Sequence, residues 1–311
     1  RGGMKPADED DKPVFIGRFN LGAISLNLPM IFAKAHREDR DFYEVLDEYL
    51  EMIRKIHKKT YNYLAEMRAG INPLMFCQGG AYMGHLNPEE KIGKILKPCT
   101  LSFGYTALNE LQELYNGKSI YEDGQFAIDV MKFINKRVND FKIEDGLLYA
   151  IYGTPAESLC GTQVEQFKKQ FGIVHKVSDR EYFTNSFHCH VSEDITPTEK
   201  QDAEKRFWDL TNGGKIQYVR YRSDKNKKAF ETLIDRAMKL GFYEGVNMEK
   251  DYCASCGHSG IDFEGGVCPI CGSNDIVQAN RVCGYLGWSR VHDNTRLNDA
   301  KLSEIKDRVS M

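Results

Sequence analysis

No stretch of this 311-residue chain approaches the roughly 18 uninterrupted apolar residues that a membrane span requires, and its first residues hold no apolar signal core. Neither sign of charge dominates: 42 Lys and Arg stand against 45 Asp and Glu, a formal charge of −3. Such a balance gives no electrostatic steering toward a polyanion or an acidic surface, so no binding to DNA, RNA or membrane is expected. Internal repeats and low-complexity tracts are also missing. What is left is a globular chain with a cytoplasmic location as the expectation, long enough for one large α/β domain or two smaller ones. It opens on Arg1 rather than Met, which suggests a processed, trimmed or partial protein.

What is present has a clear order. An aperiodic acidic stretch (Asp8, Glu9, Asp10, Asp11) precedes a short strand at Val14, Phe15 and Ile16. A second apolar run spans Ala23 to Leu28. Between residues 41 and 67, Phe42, Leu46, Tyr49, Ile53, Ile56, Leu64 and Met67 recur mostly at intervals of three and four, predicting one long amphipathic helix. Strand-like runs then alternate with helical ones: Thr100 to Tyr105, a helix through Leu108 and Leu114, and another from Gln125 to Val138. Leu147 to Tyr152, Ile216 to Tyr221 and the helix Lys227 to Leu240 continue the series. This alternation predicts an α/β fold with parallel pairing and sites at the carboxyl ends of strands. Past Gly241 the chain turns to Cys, Gly and short turns. The boundaries expected are a main body over 1–245, an appended module over 246–280, and a terminal segment over 281–311 whose helix carries Leu297, Leu302, Ile305 and Val309.

Nine cysteines include two Cys-x-x-Cys pairs close together: Cys253 and Cys256, followed by Gly257, then Cys268 and Cys271, followed by Gly272. In a reducing compartment this clustering favours metal over disulfides. Each two-residue gap turns both sulfurs toward one point, and each trailing glycine can take a positive φ that aims backbone N–H groups at the thiolates. Four sulfurs in tetrahedral array suit a structural Zn²⁺ with no open position for chemistry. Four unligated core thiols are the plain alternative, and His258 is a rival ligand.

Arg281-Val282-Cys283-Gly284-Tyr285-Leu286-Gly287 follows that module. The segment resembles the Arg-Val-x-Gly-Tyr loop near the C-terminus of glycyl radical enzymes, and its Cys-Gly-Tyr-Leu-Gly form resembles that of the anaerobic, class III ribonucleoside-triphosphate reductases. Gly284 is the residue expected to carry the radical, because a Cα radical shared with the flanking amides must flatten and glycine has no side chain to oppose it. Read without the resemblance, the segment is a glycine turn with an aromatic anchor. Cys283 reads as loop packing.

The likeness continues upstream. Gly17-Arg18-Phe19-Asn20-Leu21-Gly22 with Ser25-Leu26-Asn27-Leu28-Pro29 resembles the family stretch that follows the loop of the thiyl cysteine. The resemblance puts Asn20 in the active site of formate-using members, while its ordinary role would be to hold a turn. Ser102-Phe103-Gly104-Tyr105 with Leu108-Asn109-Glu110 is a further similar block, read as core strand and helix start. Tyr182-Phe183-Thr184-Asn185-Ser186-Phe187-His188 is another, expected at a strand end with His188 as a packing residue. Cys189 and His190 beside it are not expected to form a metal pair, since adjacent strand side chains point to opposite faces.

Gly153-Thr154-Pro155-Ala156-Glu157-Ser158 has two readings. As structure, Thr154 is an N-cap, Pro155 the first helical residue and Glu157 the third, a capping box. As a site, the same helix start offers free N–H groups to phosphate, the use the family makes of its Thr-Pro-Ala-Glu-Ser segment, and both readings can hold together. Tyr149 and Tyr152 lead into this turn and could line its pocket.

The resemblance implies an α/β fold forming the C-terminal half of a ten-stranded barrel, with a zinc-ribbon-like module and a glycyl radical loop. It implies anaerobic reduction of ribonucleoside triphosphates with formate as reductant, a radical generated by an iron–sulfur, S-adenosylmethionine-dependent activase, and a homodimer of the full enzyme. The family's radical-bearing cysteine lies in a Met-Gly-Cys-Arg-like loop, and Arg1 begins where that arginine would fall, so the chain is expected to be a C-terminal portion, inactive alone. The competing classes are a zinc-stabilised binding module without turnover and a formate-lyase-like glycyl radical enzyme.

Overall fold

Strands and helices alternate through the first three quarters of the chain. The computed structural model describes residues 17–79, 84–220, 226–247, 249–260, 263–282, 285–292 and 294–309. In chain order the elements are β1 (Asn20–Asn27), α1 (Leu28–Arg37), α2 (Phe42–Ala65), the short α3 (Pro73–Phe76) and α4 (Gly93–Leu96), β2 (Thr100–Thr106), α5 (Leu108–Asn116), α6 (Gln125–Asp145), β3 (Leu148–Gly153) and α7 (Glu157–Phe171). They continue with α8 (Pro197–Trp208), β4 (Gln217–Arg220), α9 (Lys227–Leu240), β5 (Glu244–Asn247), β6 (Glu249–Cys253), β7 (Ser259–Gly260), β8 (Ile276–Val282), β9 (Tyr285–Val291) and α10 (Asp299–Lys306). The expected strand at Val14 to Ile16 lies outside the described residues, as do Cys283 and Gly284.

The chain divides into two compact units, the first drawn from residues 1–105, 125–154 and 207–215. It holds the three-stranded sheet β1-β2-β3, in which β2 and β3 run parallel from Thr100 opposite Leu148 to Tyr105 opposite Gly153. Every residue of β2 is buried, so this strand is covered on both faces, as parallel strands are. The long helix predicted over 41–67 is α2. Asp41 caps it by accepting from Glu44 N at 3.0 Å, and Phe42, Val45, Leu46, Leu50, Ile53 and His57 form its buried stripe. Arg54 of α2 clasps Asp145 at the end of α6 through two bonds, Nε to Oδ2 at 2.7 Å and Nη2 to Oδ1 at 2.8 Å. That bidentate contact, aided by Lys58 and the Tyr149 hydroxyl, holds the Asp145 carboxyl well below the usual carboxylate range. Tyr149 is therefore buried in the core, with its ring against Phe103 and His57.

The second unit is drawn from residues 106–124, 155–206 and 216–311. Its β4 and β5 are parallel, joined through α9 as a βαβ crossover. A four-stranded antiparallel sheet, β7-β6-β8-β9, follows. The terminal helix is shorter than its apolar spacing implied: Asn298 accepts from Lys301 N at 3.0 Å and starts α10 after Leu297, while Val309 falls beyond its end. The block from Tyr182 to His188 is not at a strand end. Its backbone donors are met without a strand ladder: Phe183 N donates to Cys160 O (3.3 Å) and His188 N to Asn185 O (3.1 Å). The buried Glu110 carboxylate accepts from Thr184 N (3.1 Å) and Thr184 Oγ1 (2.6 Å), while Glu204 accepts from Cys189 N, one residue past the block (2.9 Å).

Candidate active-site strand ends and metal centre

Three stretches that are far apart in sequence meet in the first unit. Asn20 opens β1, where its Nδ2 donates to Ser102 Oγ at 2.9 Å and its Oδ1 accepts from Gly22 N at 3.1 Å. Both ends of the amide are thus held, and the side chain is still exposed. Ser102 is in turn backed by His57, whose Nε2 lies 3.0 Å from the Ser102 carbonyl oxygen. Further along, Ser25 Oγ and Thr154 Oγ1 share a 2.7 Å hydrogen bond directly over Gly104. A Cβ on Gly104 would stand 2.4 Å from Thr154 Oγ1 and 2.5 Å from Ser25 Oγ, so the strand needs glycine here for room. The contacts of Asn20 with Ser102 and of Ser25 with Thr154 had no signal in the sequence, because strand pairing alone sets which hydroxyls face one another.

Thr154 is not an N-cap. Its N donates to Tyr105 O at 3.3 Å and its hydroxyl is engaged by Ser25, which keeps it at the end of β3. The helix begins three residues later: Ala156 is the cap residue with φ 37°, ψ 19°, Glu157 is the first residue of α7, and no side chain caps the helix. The capping box is therefore absent. Its loss leaves the first N–H groups of a 15-residue helix without a side-chain acceptor, at the positive end of the helix dipole. Such an end can take an anion.

In the second unit, Cys253, Cys256, Cys268 and Cys271 place their sulfurs within 4.8 Å of one another. Cys253 and Cys271 are 3.6 Å apart, as are Cys256 and Cys268. Tetrahedral zinc, with Zn–S of about 2.3 Å, sets its sulfurs about 3.8 Å apart. Gly257 and Gly272 have φ of 79° and 72°, the left-handed turn expected of each knuckle. The Cys253 thiol is brought down to about 6: burial alone would raise it, but the N–H groups of Cys256 and Ser255 outweigh that. Cys271, despite the Ser273 N–H, is pushed up to about 12 by Cys256 and Cys253. Without a cation the four sulfurs cannot ionise together, and a bound dication removes that obstacle. His258 is not part of the cluster and stacks on Phe263 with ring centroids 5.4 Å apart.

A sequence model of one family, described as anaerobic ribonucleoside-triphosphate reductase, matches residues 4–311. The chain belongs to that family. It is 34% identical over 315 residues to the anaerobic ribonucleoside-triphosphate reductase of Escherichia coli (strain K12), a match covering 97% of this chain and 44% of that protein. The enzyme of the same name from Enterobacteria phage T4 is 32% identical over 316 residues, covering 97% of this chain and 50% of its own. The chain thus spans about half the length, or less, of these curated relatives. Among solved structures, an anaerobic ribonucleotide reductase superposes with a TM-score of 0.68 at 17% identity, over 92% of this chain and 44% of that one. The Thermotoga maritima enzyme in complex with dATP and CTP gives 0.64 at 19% identity, over 88% and 45%. These two show likeness of fold.

Within this reductase-family chain, the strands β8 and β9 that flank residues 283 and 284 pair at Val282 and Tyr285. A Cβ on Gly287 would lie 2.6 Å from Leu297 Cδ2 and 3.0 Å from Val282 Cγ2, so the Leu297 side chain would have to shift to admit one. His188 is a packing residue as expected, with Nδ1 3.1 Å from Glu204 Oε2. Cys189 is buried, and His190 beside it stacks on Tyr182 with ring centroids 5.4 Å apart. The sequence reading missed the buried carboxylate of Glu204, which holds His188, Lys200, Gln217 Nε2 and Cys189 N together. Burial alone would raise its pKa, but Lys200 and His188 hold it low. Lys200 and Glu204 stand four apart on α8, a spacing that looks like any surface ion pair.

Proposed function

We propose that this chain takes part in the anaerobic reduction of ribonucleoside triphosphates to deoxyribonucleoside triphosphates, with Gly284 as the glycyl radical. The observation that carries the reading is the family match, which runs from residue 4 through the Arg281-Val282-Cys283-Gly284-Tyr285 segment. In this reading an activase using an iron–sulfur cluster and S-adenosylmethionine removes hydrogen from Gly284. The radical then moves to a cysteine on a loop outside this sequence, which takes the 3′-hydrogen of the ribose. Formate serves as reductant beside Asn20, whose amide is already oriented by Ser102 and Gly22.

Substrate phosphate binds at Thr154, Pro155, Ala156, Glu157 and Ser158, supported by the uncapped start of α7. Cys253, Cys256, Cys268 and Cys271 hold a structural Zn²⁺ that keeps the sheet of β6, β8 and β9 folded. The parallel strands belong to half of a ten-stranded barrel. Residues 1–245 supply the barrel portion, 246–280 the metal module and 281–311 the radical loop and last helix. The working enzyme is a cytoplasmic homodimer.

The test is spectroscopic. Anaerobic treatment of the protein with reduced activase and S-adenosylmethionine should produce a doublet-type organic radical by paramagnetic resonance, and air should then cut the backbone beside Gly284. Gly284→Ala should abolish both. A wild-type protein that shows neither signal would remove the radical assignment and leave a zinc-stabilised binding module.

A further inference from the structure

A cavity of ≈ 50 Å³ lies within the second unit, bounded by α8, the ends of β4 and β5, the loop of His188 and the end of α10. That is room for about four water molecules or one tetrahedral oxoanion. Three of its lining side chains are cations, Lys200, Arg220 and Arg308, and one is a carboxylate, Glu304. Glu304 is already matched, since it is engaged by both Lys301 and Arg308 and held low by them against the effect of burial. Lys200 is paired with Glu204.

Arg308 is only 8% exposed. Its Nη2 donates to Glu304 Oε1 at 3.0 Å and to Arg281 O at 3.1 Å, but its buried Nε has no partner. A guanidinium N–H removed from water without an acceptor is costly, so this edge of Arg308 calls for one. Arg220 is fixed next to it by donating from Nη1 to Arg308 O at 2.7 Å. Across the same lining, Asn247 Oδ1 is a buried acceptor that lacks a donor. Around the cavity Lys200, Lys301, Arg220 and Arg308 face Glu204, Glu304 and Asp307, the last accepting from the lining Tyr182 hydroxyl at 2.9 Å, so the cations outnumber the carboxylates by one, and an orphan donor and an orphan acceptor share the same lining. Few small groups answer all three. Sulfate at neutral pH has oxygens but no hydroxyl, whereas monohydrogen phosphate has both.

We propose that this cavity binds one phosphate group in its monohydrogen form. Arg308 and Arg220 donate to its anionic oxygens, and Asn247 Oδ1 accepts from its hydroxyl. The group is either free phosphate or the terminal phosphate of a nucleotide. The site needs no radical, so it does not depend on the reductase reading and would not fall with it.

Calorimetric titration of the zinc-loaded protein at constant ionic strength tests the idea, with inorganic phosphate, sulfate and a nucleoside triphosphate as probes. One saturable phosphate site is expected, with sulfate at least tenfold weaker. Asn247→Leu should erase that discrimination, and Arg308→Met should weaken both anions at least tenfold. Because Arg308 also anchors the end of α10, Arg220→Gln provides a second variant with the same expected direction. If the triphosphate displaces phosphate mole for mole, the group is a nucleotide's. If both bind together, it is the free anion. Absence of saturable phosphate binding, equal affinity for sulfate and phosphate, or unchanged affinity in both arginine variants would overturn the proposal.

Discussion

Replacing Gly104 by alanine tests whether the meeting of β1, β2 and β3 is built as described. The new methyl would enter a space 2.4 Å from Thr154 Oγ1, 2.5 Å from Ser25 Oγ and 3.2 Å from Ser25 Cα. The two hydroxyls could turn aside only by giving up their 2.7 Å hydrogen bond, and Ser25 Cα is backbone, so a strand must shift as well. Overpacking of this kind costs about 1–3 kcal/mol. Loss of one hydrogen bond adds about 0.5–1.5 kcal/mol, for a sum on the order of 2–4 kcal/mol. With a urea dependence of about 1–3 kcal/mol per molar, the unfolding midpoint followed by far-ultraviolet circular dichroism should fall by on the order of 1 M. Repeating the change in a Ser25→Ala background removes one obstructing oxygen, so the penalty should shrink there, and the cycle isolates the coupling. A Gly104→Ala protein within about 0.5 kcal/mol of wild type, or an equal penalty in both backgrounds, would refute the argument.

Elemental analysis should find about one zinc per chain, and Ser at any of Cys253, Cys256, Cys268 or Cys271 should release it; a stoichiometric iron–sulfur centre would contradict the site. Burial, together with Glu110, pushes the Glu113 carboxyl up from 4.5 to about 8. A raised acid stabilises the fold fully below its unfolded value and loses that contribution as pH climbs through its folded one, so the urea midpoint should fall between about pH 5 and pH 8. Glu113→Gln should flatten that slope, and an unchanged slope would exclude the residue as its source. Ala156→Asp, at a left-handed position that aspartate tolerates, should weaken nucleotide binding by on the order of tenfold through repulsion while leaving zinc content unchanged; unaltered affinity would reduce the segment to a helix start.

The long-range order of the fold was legible wherever periodicity and a local cap agreed. Helix α2 follows its apolar spacing from the Asp41 cap, and α9 spans Lys227–Leu240 as expected, with Asn226 accepting from Ala229 N. The clustering of Cys253, Cys256, Cys268 and Cys271 was also legible, because Cys-x-x-Cys-Gly encodes its own turn. Thr154 was misread since a Thr-Pro-x-Glu string scores as a cap locally, and nothing local reveals that Ser25, far upstream, holds its hydroxyl. The loop from Tyr182 to His188 was misread for a related reason. Thr184 N within it is held by the carboxylate of Glu110, and Cys189 N just past it by that of Glu204, on two separate helices, and glutamates in helical stretches look like solvent-facing residues until the fold buries them.

The path of β8 has a consequence for the order in which this sheet assembles. The strand starts at Ile276, opposite Cys253, and ends at Val282, opposite Tyr285, so one seven-residue segment runs from the cysteine cluster to the residue that precedes Cys283 in the sequence. Pairing β6 with β8 first requires the chain between Cys253 and Ile276 to close on itself, an entropic hurdle that a single ion bound to both knuckles removes before any ladder forms. The β8–β9 pairing that follows is a local hairpin, and local contacts form fast. On the proposal that the four cysteines hold a metal, its arrival would be the clock for this sheet alone: refolding in the presence of a chelator should stall β6, β8 and β9 while β2 and β3 regain protection from amide exchange at their usual rate.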